Sequence, residues 1–299
     1  MYKRQPLELP RSINPDEGFI VTANNDLNHL GVVEPMTLPM ASYRAERIRQ
    51  LILEKPKLTV EDMQQIHYDR YSCQADQFMQ IIHPLLPKTK RAEYLHTWDL
   101  RYEGDSFGAT DFERVYYALL ILVFGEMGIG REAMQELTAN TSIFAMIHGN
   151  FDHILLGDSS VWFAEHSRTE LYKRAIEQAL SADPARHGEL SKQWINNLLF
   201  EGKLPKFLGF DYQLTLVGSR ATIPQVQVFS AAGRSTTFAP SLRIICDFSS
   251  DELHANNPGG ASDRRFSKYY TAGLKEWEQG IYDTFSPTLG AQPEQTQAE

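Results

Sequence analysis

Residues 109–128, ATDFERVYYALLILVFGEMG, run through ten consecutive apolar or aromatic positions, Val115 to Phe124. Helical periodicity leads into the run, and Ala and Leu in its middle favour a helix. A helix that is apolar on nearly every side has to be buried on every side. Ten residues fall well short of the roughly 20 that cross a hydrocarbon core, so this segment belongs inside a globular core. The chain of 299 residues is long enough to wrap it, as one large or two modest domains.

The rest of the chain follows a simple order. Residues 1–17, with Pro6, Pro10 and Pro15, read as an extended lead-in, and residues 18–24 as a short strand. A loop to residue 42 precedes YRAERIRQLILEK, whose Ile48, Leu51 and Ile52 share one helical face before Pro56 stops it. Thr59 and Asp62 form a variant capping box. From there one helical stripe, Met63, Ile66, Tyr71, Phe78, Ile81 and Ile82, is predicted to continue to Pro84. KRAEYLHTWDL predicts a shorter helix, and SRTELYKRAIEQALSAD an amphipathic one that starts at a Ser cap. After Lys203 the texture turns to β-branched residues, Gly and Ser, which predicts strands at 213–217, 226–230 and 241–248. SDELHANNPGGASDRRFSKYY reads as loop, YTAGLKEWEQGIYDTF as a closing helix or helical turns, and 286–299 as a disordered tail. A helical block over about 43–203 followed by a strand-rich part over about 204–285 is α+β rather than alternating βαβ.

Composition removes several function classes. The net charge is −9 with no long Lys/Arg run, so nucleic acid is not an expected partner. No membrane span is expected either, and the N-terminal MYKRQPLELPRSINPDEG lacks the apolar centre of a signal peptide. Cys73 and Cys246 lie far apart and outside any C-x-x-C; a single bridge is open to them, but two separate buried thiols is the favoured reading. GIGREA, residues 128–133, fits a loose G-x-G-x-x-A, yet a helix precedes it and no βαβ unit follows, so glycine caps at a helix end explain it better. There is no G-x-S-x-G, Walker loop or H-E-x-x-H. His148 and His153 have no third ligand nearby in sequence and read as structural or surface residues. Ser250, Asp251 and His254 read as a solvated loop, because adjacency in sequence is not triad geometry.

GFIVTANNDLN, residues 18–28, runs a short apolar stretch straight into Asn24, Asn25 and Asp26. Such residues make ordinary turns. They also place a side-chain amide at a strand end. Three groups of segments give this a second meaning: GFIVTANN with SYRAERIRQLI, then LTVEDMQQIHYDRYSCQA with LHTWDLRYEGDSFGA, then FAPSLRIICDF with NNPGGASDRRFSKYYTAGLKEWEQGIYDTF. In number, order and spacing, from about residue 18 to 285, these resemble blocks of the large chain of the penicillin acylase (penicillin amidase) family of N-terminal-nucleophile hydrolases.

The resemblance implies a partial N-terminal-nucleophile hydrolase fold, a helical block followed by antiparallel strands. It implies hydrolysis of a carbon–nitrogen amide bond in a penicillin, an N-acyl homoserine lactone or a similar small N-acyl substrate. Asn24 corresponds to the family's oxyanion-hole Asn, and Arg44 to its Arg near the nucleophile. A fixed carboxamide N–H donor stabilises the tetrahedral oxyanion, and losing one such donor typically costs about 3–4 kcal/mol. The family's nucleophile is a Ser at a new N-terminus, whose own amine is the base. That Ser lies far upstream of the Asn, whereas 23 residues precede Asn24 here. Gly218–Ser219 does not replace it, because it follows Asn24 with only 80 residues behind it. The resemblance therefore implies a partner, the small chain and nucleophile-bearing segment, and an isolated chain that is catalytically incomplete. The alternative is a remnant or scaffold without activity of its own. No cofactor is expected for the chemistry; structural calcium is left open, since the family has such a site but the acid near Glu34 aligns too poorly to assign it. Intact family members imply a periplasmic or secreted setting.

Overall fold

The structure, a computed structural model, describes residues 11–32, 38–139, 141–197, 199–226 and 239–286. Its elements in chain order are α1 (Tyr43–Leu53), α2 (Val60–His67), α3 (Cys73–Ile82), α4 (Glu93–His96), α5 (Phe107–Leu120), a π-helical extension Ile121–Ile129, α6 (Arg131–Ala139), α7 (Thr141–Leu156), α8 (Arg168–Leu180), α9 (His187–Leu190), β1 (Lys192–Ile195), β2 (Tyr212–Thr215), β3 (Arg243–Asp247), β4 (Glu252–Asn256), α10 (Leu274–Gln279) and β5 (Asp283–Phe285). The class is α+β. The residues divide into two compact units, Met1–Pro56 with Asp69–Ala239 and Lys57–Tyr68 with Pro240–Glu299.

The larger unit is built around α5 and its extension. Ser106 caps α5 by accepting the Ala109 N–H at 3.1 Å. From Gly108 to Phe124 the helix is buried at almost every position, as its composition requires. Phe78 from α3 meets Phe112 and Tyr116 edge-on, at ring-centroid separations of 6.1 and 5.4 Å, and stacks on Tyr172 from α8. Gly108 lets α4 approach α5 closely, because a Cβ there would lie 2.4 Å from Trp98 Cγ and 2.6 Å from the Tyr94 carbonyl oxygen. Gly130, at φ +100°, ends the π-helical extension, so the GIGREA segment is a helix terminus leading into α6. β1 and β2 pair antiparallel, Lys192 opposite Thr215 and Ile195 opposite Tyr212.

The buried face of α5 also carries acids, and each is matched. Arg220 donates to both Glu113 oxygens at 2.8 Å, while the Tyr102 hydroxyl donates to Oε1 at 2.6 Å. Arg91 forks onto Asp111, with Nη2 to Oδ1 at 2.7 Å.

In the smaller unit, β3, β4 and β5 form an antiparallel sheet with β4 in the middle, Ile245 opposite His254 and Leu253 opposite Phe285. Tyr68, the last residue of its N-terminal strand of chain, is the hub. Its hydroxyl donates to the Trp277 carbonyl and accepts from Arg243 Nη1 at 2.8 Å and Asn256 Nδ2 at 3.0 Å. The Arg243 guanidinium lies 4.2 Å from the Tyr68 ring and 4.9 Å from the Trp277 ring.

Several expectations need correction. The single helix from Thr59 to Pro84 is two helices. The Thr59–Asp62 capping box opens α2 as read, but the chain breaks at Tyr68–Ser72 and Ser72 caps α3 anew. Asp69 enforces the break by accepting from Arg47, Arg101 and the Tyr71 N–H. Residues 252–256, read as loop, are β4. Residues 18–24, read as a strand, pair into no sheet among the described residues. Cys73 is buried but Cys246 is exposed, on the opposite side of β3 from buried Ile245. Most of the expected strand 226–230, the start of the lead-in and the tail from 287 lie outside the described residues. Among the described residues no helix is long and apolar enough to cross a membrane.

Two stability predictions follow from these contacts. Arg220→Met strands the Glu113 carboxylate, and denaturant titration should show a loss of about 3–5 kcal/mol; a loss below about 1 kcal/mol would mean that water reaches the pair. Gly108→Ala pushes α4 off α5 and should lower the melting temperature, whereas an unchanged melt would contradict the close approach.

Candidate functional site

Asn24 has φ +61°, a left-handed backbone that Asn tolerates better than most residues. Its carbonyl accepts the Met40 N–H at 2.7 Å, which ties the start of the loop to its end. The neighbouring Asn25 side chain accepts the Ala23 N–H at 3.0 Å. Turn chemistry is therefore present here, as the Asn–Asn–Asp run suggests.

Arg44 adds what turn chemistry does not supply. From the first turn of α1 its Nη2 donates to the Asn24 side-chain oxygen and to the Ala23 carbonyl, both at 2.8 Å, and approaches Met40 Sδ at 3.9 Å. A guanidinium only donates, so the carboxamide atom facing it is the oxygen. The amide nitrogen of Asn24, with its two N–H donors, faces the other way. Burial pulls the Arg44 pKa below the ordinary guanidinium value, and the group remains charged. Among the described residues Arg44 meets no carboxylate; the nearby Glu46 takes the Ser42 hydroxyl instead. The arrangement is a charged clamp that fixes an exposed carboxamide with its donor end outward.

Next to the clamp lies a groove of about 590 Å³. Met40, Ser42 and Tyr43 line one side, and Met146, Asn150 and His153 from α7 line the other. Asn24 itself is not in the groove wall; Met40 links the two. His153 is exposed, while His148 is buried and stacks on the Tyr43 ring at 6.5 Å. Among the described residues no three His, Cys, Asp or Glu side chains are placed to hold a metal ion. Glu34 lies outside the described residues. Ser250 and Asp251 belong to the tight turn between β3 and β4, and the His254 ring bonds Thr284 on β5 at 3.0 Å, so these three do not form a triad.

The interior also holds a buried carboxylate, Asp152, that no motif singles out. Asp152 on α7 accepts the Tyr116 hydroxyl at 2.6 Å and the Gln74 amide at 2.7 Å. The Arg220 guanidinium, 4.2 Å from the Tyr116 ring, faces the cluster. Burial raises the Asp152 pKa to about 6, against the opposing pull of its donors and of Arg220. The one signal available in the sequence is an acid inside the apolar stretch NFDHILL.

The sign of the resulting pH dependence is fixed. An acid whose folded pKa is raised contributes stability below its unfolded pKa, near 3.8, and loses it as pH rises through about 6. The stability of Asp152→Asn relative to the parent chain should therefore improve by about 2 kcal/mol between pH 4 and pH 7. Thermal melts across that range check it, and a pH-independent gap would mean that Asp152 titrates normally.

A model of the family described as penicillin amidase matches residues 4–289 of the chain. The penicillin acylase 2 proenzyme of Pseudomonas sp. (strain SE83) is 31% identical over 129 residues, which are 40% of this chain and 16% of the relative. The chain thus matches well under two thirds of that relative's length. With nearly its whole length inside the family match, this chain belongs to the penicillin amidase family.

Proposed function

We propose that the chain is part of an amidohydrolase and supplies its oxyanion-hole donor. In this reading Asn24 presents its side-chain N–H to the oxygen that becomes negative when an amide carbonyl is attacked. Arg44 holds that side chain in place through the opposite atom. The nucleophile is the hydroxyl of an N-terminal Ser on another segment or chain, and the free amine of that Ser takes the hydroxyl proton. The substrate is a small N-acyl compound of the penicillin or N-acyl homoserine lactone kind. The intact assembly works in the periplasm or outside the cell, and no cofactor enters the chemistry.

The observation that carries the proposal is the Arg44–Asn24 hydrogen bond at 2.8 Å. An Asn that only turned the chain would need no charged clamp on its side chain. Here the clamp consumes the acceptor and leaves the donor, which is the half of a carboxamide that an oxyanion can use. A donor held rigid before the reaction begins costs no reorganisation when charge develops. Membership in the family supports the amide-hydrolysing class.

The test is complementation. The chain is co-expressed with the nucleophile-bearing part of a family precursor, and release of chromophore from a phenylacetyl anilide is followed. Asn24→Asp keeps an acceptor for Arg44 but removes both donors, so kcat should fall about 10²–10³-fold. Full activity in Asn24→Asp would remove Asn24 from the reaction. Turnover by the isolated chain would overturn the requirement for a partner. Absence of turnover with every complement would favour a chain without enzymatic activity of its own.

A further inference from the structure

The three-stranded sheet of the smaller unit has its polarity reversed. Residues directly opposite each other in an antiparallel pair share a face. The pairing of β3 with β4 and of β4 with β5 therefore puts Ile244, Cys246, Leu253, Ala255 and Phe285 on one face, with Asp283 at its margin. Exposed positions alternate with more buried ones from Leu242 to Phe248, which carries the same face beyond both ends of β3. The opposite face holds Arg243, Asp247, His254 and Asn256, with Ile245 among them. A sheet with one wet side ordinarily turns its apolar face inward. Here the polar face is the covered one. The Tyr68 and Trp277 rings pack on the Arg243 guanidinium, and Arg243, His254 and Asn256 are all buried. The apolar face is open among the described residues, where Ile244 is 46%, Phe285 55% and Phe248 89% exposed.

A contiguous apolar face of this kind marks an interaction surface. Asp283 is its one charged residue, so it fits an apolar protein surface and not a charged polymer. A sheet of three strands with helices on one side lacks the second layer that buries an apolar face. The proenzyme relative has room for such a layer: the 129 matched residues are 16% of it, which makes it more than twice as long as this chain. We propose that the outer face of the β3–β4–β5 sheet is the docking surface for the nucleophile-bearing part of the amidohydrolase, which lays an apolar layer over Ile244, Cys246, Leu253 and Phe285. A second copy of this chain would cover the same face but would bring no nucleophile. The choice of occupant rests on reading the chain as part of an amidohydrolase; the polarity of the sheet does not.

Cys246 is a built-in probe of this face, because it is exposed while Cys73, the other cysteine, is buried. The full chain is treated with a maleimide alone and after co-expression with the nucleophile-bearing part of a family precursor, and Cys246→Ser identifies the signal. Cys246 should react readily in the chain alone and at least about tenfold more slowly in the co-purified complex. Ile244→Lys with Phe248→Lys puts charge on the face at two exposed positions. It should leave the melting temperature of the chain unchanged and lower recovery of the complex at least about tenfold. A complex in which Cys246 reacts as fast as before would overturn the proposal, as would full recovery with the lysine variant or no complex with the parent chain. Protection of Cys246 in the chain alone would also overturn it, and a doubled mass would identify a second copy as the occupant. Turnover is read separately. A complex with protected Cys246 and no turnover would remove the oxyanion reading and keep the docking surface, whereas turnover with Cys246 fully reactive would do the reverse.

Discussion

A helix with no solvent face leaves no free place for its polar residues, and this constraint organises the larger unit. α5 cannot turn Asp111, Glu113 or Tyr116 toward water, so each must find a partner inside. Glu113 recruits Arg220 from far along the chain, and Asp111 recruits Arg91. Tyr116 reaches Asp152. These contacts fix the relative placement of α3, α5, α7 and the segment around Arg220 more narrowly than apolar packing does. Apolar surfaces accept many registers, whereas a forked guanidinium–carboxylate pair accepts very few. Such pairs add little net stability over a well-packed apolar pair, but breaking one leaves an uncompensated buried charge.

The candidate site inherits this order at second hand. Asn24 and Arg44 sit toward the surface, where a long side chain would ordinarily sample several rotamers. Three features restrict them: the left-handed backbone at Asn24, the Met40 hydrogen bond to its carbonyl, and the buried Tyr43 next to Arg44. Arg44 meets two oxygens of adjacent residues at once, so moving either weakens both contacts. The amide group is therefore held by main chain on one side and by charge on the other. If Asn24 serves the oxyanion as proposed, its donor benefits from both, since any freedom left to it must be removed when the charge forms.

The local rules were legible in the sequence wherever one segment decided the matter. The buried central helix, the Thr59–Asp62 box, the Ser cap before α8 and the glycine terminus before α6 each depend on residues within a turn or two. Reading failed where a distant partner decides. The stripe Met63–Ile66–Tyr71–Phe78 keeps helical spacing across Tyr68–Ser72, and the arginines that Asp69 needs, Arg47 and Arg101, break it. ELHAN lacks a clear alternation, and becomes a strand because β3 and β5 lie on its two sides. Cys246 is apolar enough for a core, but β3 turns it outward because Ile245 takes the inner position. The proximity of Asn24 and Arg44 came from family resemblance, and spacing alone would not have found it. Asp152 was invisible, since one acid in an apolar stretch does not announce the two donors, Tyr116 and Gln74, gathered around it.

The division of the chain between its two units bears on the order of synthesis. α2 and Tyr68 leave the ribosome well before the strands that hold them: β3 and β4 follow more than 170 residues later, and Tyr282, bonded to His67 at 2.7 Å, follows 215 residues later. A nascent chain can therefore complete much of the larger unit while the α2 segment waits, its Ile66 and Tyr68 uncovered. Closing so long a loop is slow in a free chain and exposes the waiting segment to proteases and chaperones. A segment translated late relative to α2 thus secures a helix made well before it.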